Sequence, residues 1–85
     1  LGSALEEAGR TEEAIEAYGK ALEICREFED WYGEGQSLNN LALAHEAADR
    51  PVEARAAYLQ AADAYTRAND HTEATQALTR AAELP

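Results

Sequence analysis

GRTEEAIEAY, residues 9–18, returns forty positions later as DRPVEARAAY, residues 49–58. The correspondence extends on both sides. Ala4 pairs with Ala44, Glu6 with Glu46, Ala8 with Ala48, Arg10 with Arg50, Glu13 with Glu53 and Ala14 with Ala54. Ala17 with Ala57, Tyr18 with Tyr58, Ala21 with Ala61, Asp30 with Asp70, Gln36 with Gln76 and Leu38 with Leu78 carry it further. A fixed period of this size marks a chain of stacked units, each of which buries against its neighbours a face it cannot bury alone.

Within each period the apolar residues fall at helical steps of three and four. Ala14, Tyr18, Ala21, Leu22, Cys25 and Phe28 form one stripe, Leu38, Leu41, Ala42, His45 and Ala48 a second, and Ala54, Tyr58, Ala61, Tyr65 and Ala68 a third. Alanine dominates the apolar content, β-branched residues are scarce, and Glu, Leu, Arg and Gln stand close behind alanine in helix propensity, so the fold class is all-α. Breaks stand where helix ends belong. Gly9 and Asp49 can adopt a left-handed terminal conformation, Pro51 suits a first turn, and Asp30 and Asp70 suit N-caps, the latter with Glu73 three residues on. These signals predict helices over 1–8, 12–29, 32–48, 51–69 and 71–84, about five in all. Links this short force antiparallel neighbours. The product is a stack of helical hairpins, with a partial unit over 1–30, a complete one over 31–70 and the first helix of another over 71–85. Such a segment leaves an unpaired helix at each end, and both open ends invite self-association.

The charge narrows the function. Seventeen acidic residues against 7 basic ones give a net charge of -10, and the basic residues are dispersed, so the surface repels phosphate backbones and anionic lipid. Direct nucleic-acid binding and membrane binding are not expected. A single cysteine cannot form an internal disulfide, and no apolar run approaches the roughly 18 residues of a membrane span, which makes the cytoplasm the default compartment. The sequence has neither an initiator Met nor a signal peptide and reads as a piece of a longer protein.

LGSALEEAGRTEEAIEAYGKAL, residues 1–22, resembles a tetratricopeptide repeat from the middle of its first helix through its second. Leu1, Gly2, Leu5, Ala14, Tyr18 and Ala21 stand at that family's hallmark positions, and Leu38, Leu41, Ala42, Ala54, Tyr58 and Ala61 stand at the same positions of the next unit. Ala42 departs from the family's frequent Gly, and His45 from its frequent large apolar residue. The period exceeds the family's usual length of about 34, resembling the longer variant of bacterial multidomain regulators and kinesin light chains. The resemblance implies a right-handed α-solenoid whose first helices line a concave groove. Gln36, Asn39, Asn40, Leu43 and Glu46 would face that groove from one helix, and Gln76, Thr79, Arg80 and Glu83 from the next. It also implies a protein or peptide partner, bound by the sensor or regulatory arm of a bacterial signalling or transcriptional regulator. The alternative is a structural spacer or self-associating segment of a longer solenoid. Of the family's basic clamp for a terminal carboxylate, only Asn40 and Arg80 have counterparts.

No constellation for catalysis, metal or a cofactor stands out. His45 lies on an apolar stripe, His71 in a first turn, and Cys25 among apolar residues, without nucleophile, phosphate-loop or metal-ligand spacing. The pairs Glu6 with Glu7 and Glu12 with Glu13 do not converge, because adjacent helical residues face apart. Trp31 reads as packing between units, while Tyr32 is open to either packing or binding. Asn39 and Asn40 are the exception: two asparagines inside a helix cost roughly 1 kcal/mol relative to alanine. Either they meet a partner in the groove, with a basic face favoured by the acidic surface, or Asn40 bridges to a neighbouring unit.

Overall fold

Three short breaks in an alanine-rich chain set the architecture. The computed structural model describes residues 2–85, with side chains from residue 9 onward. Among the described residues there are four helices and no strand: α1 (Gly2–Glu27), α2 (Trp31–Ala47), α3 (Pro51–Arg67) and α4 (His71–Glu83). Each successive pair packs antiparallel.

The three turns share one geometry. Glu29, Asp49 and Asn69 take positive φ values of 53°, 59° and 62°. Each donates its amide back to the carbonyl three residues earlier, and the next residue's amide donates to the carbonyl five residues earlier. At the first turn these bonds are Glu29 to Arg26 (3.2 Å) and Asp30 to Cys25 (2.8 Å). At the second they are Asp49 to Glu46 (3.0 Å) and Arg50 to His45 (2.8 Å), and at the third Asn69 to Thr66 (3.0 Å) and Asp70 to Tyr65 (2.9 Å). Carbonyls left over by one helix are thereby satisfied while the chain reverses. The following residue starts the next helix. Asp30 accepts from the Gly33 amide at 3.0 Å and Asp70 from the Glu73 amide at 3.1 Å. Arg50 makes no side-chain cap, and Pro51, which needs no donor partner in the first turn, takes over there.

The break expected at Gly9 is absent, because α1 runs through it. Glycine permits a left-handed residue without requiring one, and inside a helix it costs only about 1 kcal/mol relative to alanine. Glu6, Glu7 and Ala8 before it and Arg10, Glu12 and Glu13 after it are strong enough helix formers to carry the helix across. Residues 1–8 and 12–29 are therefore not separate helices: residues 2–8 belong to α1.

Small side chains let the helices approach. Ala42, Ala54 and Ala61 have no exposed surface, and around them Leu38, Tyr58 and Tyr65 are buried with Ala74, Ala77 and Ala81 of α4. Gly35 is required for one approach, since a Cβ there would lie 2.8 Å from the Tyr65 ring. Across α1, Ala14, Tyr18 and Ala21 are only half-buried. Phe28 departs from its expected stripe and is 76% exposed, because the backbone leaves the helix at Glu27 and turns its side chain outward. Two ion pairs tie α1 to the stack: Arg26 donates to the buried carboxylate of Glu34 at 3.0 Å, and Arg50 donates to Glu12. The result is a slab of 44 × 29 × 16 Å with a radius of gyration of 13.1 Å, against about 12 Å for a compact globule of this length.

Gly9 and Ala54 test these assignments with opposite signs. Nothing lies within 4 Å of a Cβ built at Gly9, so Gly9→Ala should stabilise the fold by roughly 0.5–1 kcal/mol. Ala54→Leu should overpack the α2–α3 contact and destabilise by about 1–3 kcal/mol, while the exposed Glu16→Gln should leave the midpoint nearly unchanged. Thermal unfolding of the three variants reads this directly. A loss of stability in Gly9→Ala would place a left-handed turn at that residue.

Candidate functional site

Helices α2 and α4 both rest on α3, and two tyrosines of α3 form the floor between them. Tyr65 contributes to a cavity of about 350 Å³ whose other walls are Tyr32, Gln36, Asn39 and Asn40 of α2 and Glu73 of α4. Tyr58 contributes to a neighbouring cavity of about 340 Å³, walled by Leu43 and Glu46 of α2 and by Arg80 and Glu83 of α4. Tyr58 and Tyr65 are seven residues apart, about two helical turns, which sets both rings on the same side of α3 roughly 10 Å apart along its axis.

The polar groups of the first cavity are mostly uncommitted. Neither Asn39 nor Asn40 makes a side-chain hydrogen bond to another described residue, so the bridge to a neighbouring unit considered for Asn40 is not formed among them. Each amide offers donors and an acceptor to whatever enters. Tyr32 is half-exposed, and its ring meets Tyr65 edge-on with centroids 5.8 Å apart. That contact gives Tyr32 both a packing role and a place in the cavity wall. Trp31 lies outside the cavity and takes the Arg67 guanidinium over its ring, 4.8 Å from the centroid.

The second cavity is more ordered. The Tyr58 hydroxyl donates to Glu46 Oε2 at 2.5 Å, so one carboxylate oxygen is already engaged. Burial, followed by the Glu46 carboxylate, pushes the Tyr58 hydroxyl up to about 12. Burial and the Glu73 carboxylate do the same to Tyr65, also to about 12. Across the two cavities three carboxylates, Glu46, Glu73 and Glu83, face one guanidinium, Arg80.

Of the nine groove residues read from the sequence, seven line these two cavities. Gln76 and Thr79 do not. With Thr75, Arg80 and Glu83 they line a separate shallow recess along α4, and the Thr79 hydroxyl donates to the Thr75 carbonyl of its own helix at 2.9 Å. Sequence reasoning missed Tyr58, Tyr65 and Glu73 as wall residues. The tyrosines lie on the buried stripe of α3, as its spacing predicts, and each also borders a cavity between α2 and α4. Gly35, a residue without a side chain opposite Tyr65, was the available signal. Elsewhere, His45 is half-buried with its Nδ1 buried and unpartnered among the described residues, His71 is exposed, and Cys25 is a half-buried free thiol.

Two family models, both described as tetratricopeptide repeat, match the chain over residues 1–67 and 56–85. No curated protein and no solved structure matches it.

The buried tyrosines make stability depend on alkaline pH. In the unfolded chain each titrates near 10.0 and in the fold near about 12, so the folded state holds their protons more tightly. The stabilisation is complete below pH 10.0 and is lost as pH rises toward about 12. Urea unfolding across that range should show the fall. Tyr65→Phe should flatten it, and Tyr58→Phe should flatten it while lowering the plateau by about 0.5–1.5 kcal/mol through loss of the Glu46 hydrogen bond.

Proposed function

The chain belongs to the tetratricopeptide repeat family, and from that premise we propose that the α2–α4 groove binds an extended peptide segment of a partner protein. The family's helical repeats make this a protein–protein interaction module. The observation that carries the finer reading is the cavity holding Asn39 and Asn40, two helix-interior amides with no partner among the described residues. Their roughly 1 kcal/mol cost to the helix is offset if they hydrogen-bond the backbone of an incoming peptide, as in strand-like recognition where main-chain bonds supply affinity and pockets supply specificity. Gln36 extends the amide row above the buried Tyr65 and Tyr58, and Leu43 adds an apolar edge.

The excess of Glu46, Glu73 and Glu83 over Arg80 favours a peptide carrying Lys or Arg and disfavours an acidic C-terminus. Long-range attraction from the net charge of -10 acts in the same direction. We place the module, complete over 31–70 and continued over 71–85, in the regulatory arm of a bacterial cytoplasmic regulator. The forty-residue step of its sequence repeat supports this host, and among the described residues no helix is long and apolar enough to cross a membrane.

A displayed library of random peptides selected on the chain tests the groove. Enriched peptides should be basic, and their binding should weaken as the Debye length contracts from about 10 Å at 0.1 M salt to about 3 Å at 1 M. Replacing Asn39 and Asn40 with alanine should stabilise the free protein by roughly 1 kcal/mol yet speed peptide dissociation. If the double variant binds the selected peptides as slowly or as tightly as the parent while remaining folded, the groove is not the site.

A further inference from the structure

The two cavities of the α2–α4 groove are one frame repeated. Gln36 and Asn39 of α2 and Glu73 of α4 wall the first, and Leu43, Glu46 and Arg80, each seven residues further on, wall the second. Their bordering residues on α3, Tyr65 and Tyr58, are also seven apart, on a helix that runs the other way. Seven residues are about two helical turns, so the frame steps by roughly 10 Å along the groove. An extended chain rises about 3.3 Å per residue and covers that step in three residues.

The step keeps the frame and changes its chemistry. Where the first cavity has the amides of Gln36 and Asn39, the second has the apolar Leu43 and the carboxylate of Glu46. That carboxylate is held in place. The Tyr58 hydroxyl donates to its Oε2, and Tyr58 is only 1% exposed, so the core fixes the donor. The other oxygen, Oε1, accepts no hydrogen bond among the described residues. Arg80 lines the same cavity yet forms no ion pair among the described residues, which leaves Glu46 without a counter-ion there. Glu83 adds a second carboxylate, so the cavity holds two acidic groups against one guanidinium.

Resting on the peptide reading above, we infer that the second cavity is a side-chain pocket for one Lys or Arg of the bound peptide, three residues from the residue whose backbone Asn39 and Asn40 hold. The incoming cation donates to the open Oε1 of Glu46 in a charge-assisted hydrogen bond. Its methylene stem lies on Leu43 while the charged head stays toward the carboxylates. Arg80 repels the same cation and limits how tightly it is held. A helical partner would cover the same step in seven residues, so the spacing identifies the conformation of what binds.

Calorimetric titration with peptides selected from the displayed random library is the test. They are made N-acetylated, so that a terminal ammonium cannot supply the cation. Replacing one Lys or Arg by norleucine should weaken binding roughly ten- to a hundredfold. Stepwise N-methylation of the peptide backbone should find its largest loss three residues from that position. Against Glu46→Gln, which keeps an acceptor for Tyr58, the norleucine loss should disappear while the N-methyl loss persists. Against the double alanine variant of Asn39 and Asn40 the pattern should reverse. Arg80→Gln should tighten the acetylated basic peptides severalfold, a gain that a loosened fold cannot produce. The pocket is overturned if no basic position dominates, if Glu46→Gln leaves the norleucine loss intact, if Arg80→Gln weakens binding, or if acetylation alone abolishes it, the last assigning the cavity to a peptide terminus. A spacing of seven residues overturns the extended register in favour of a helix. If the library yields no binder at all, the peptide reading falls and the pocket with it.

Discussion

Everything in this fold depends on the chain reversing within three residues, three times, without a glycine to do it. Glu29, Asp49 and Asn69 hold left-handed conformations, which for residues bearing a side chain cost about 1–2 kcal/mol, less for Asp and Asn. Two backbone hydrogen bonds per turn and an immediate helix start offset that strain. The geometry leaves no slack. Neighbouring helices must lie antiparallel and in fixed register, so Ala42, Ala54 and Ala61 must be small where they meet, and Gly35 must make room for Tyr65. The groove follows from the same constraint, because α2 and α4, held on one side of α3, leave a gap whose floor is α3's own tyrosines.

The helical stripes, the caps at Asp30 and Asp70, Pro51 in a first turn and the left-handed Asp49 were legible in the sequence because each depends on neighbours within one or two turns. Gly9 was not. Its permissiveness reads the same whether the helix breaks or continues, and the outcome rests on the summed propensity of the residues flanking it. Phe28 misled for a related reason: helical spacing assumes a helix, and that helix ends at Glu27. In the candidate groove, Gln36, Asn39, Leu43 and Glu46 could be placed together because steps of three and four keep them on one face of one helix, while Asn40 joined them through the family resemblance. The contribution of Tyr58 and Tyr65 could not, since it depends on where a third helix emerges between two others. Gln76 and Thr79 were grouped with the groove by family analogy, which locates a helix face but not how far round the helix a cavity wall extends.

Asn40 stands at the ridge between two recesses, lining both the α2–α4 cavity and the α1–α2 groove. Most wall residues belong to one recess only, so α2 acts as a partition with distinct chemistry on its two sides. Toward α4 it presents amides and a tyrosine edge, with carboxylates at the margin. Toward α1 it presents Ala44 and Ala47, with Asn40 and Leu43 shared between the two sides. A polar, hydrogen-bonding surface suits a peptide backbone, and an apolar, shallow one suits a helix. The difference originates in the sequence of a single helix, where Gln36 and Asn39 occupy one set of helical positions and Ala44 and Ala47 another.

The net charge acts at long range on whatever approaches the α2–α4 groove. Toward a basic peptide, -10 is attractive at long range and raises the rate of encounter. Salt screens that attraction. Ion pairs inside the chain do little to change this balance, because Glu16 with Lys20, Asp63 with Arg67 and Glu12 with Arg50 are exposed at the surface, where such pairs contribute about 0–1 kcal/mol. Arg26 with Glu34 is the exception, its carboxylate buried between α1 and α2. That pair holds the C-terminal end of α1 against the first turn of α2.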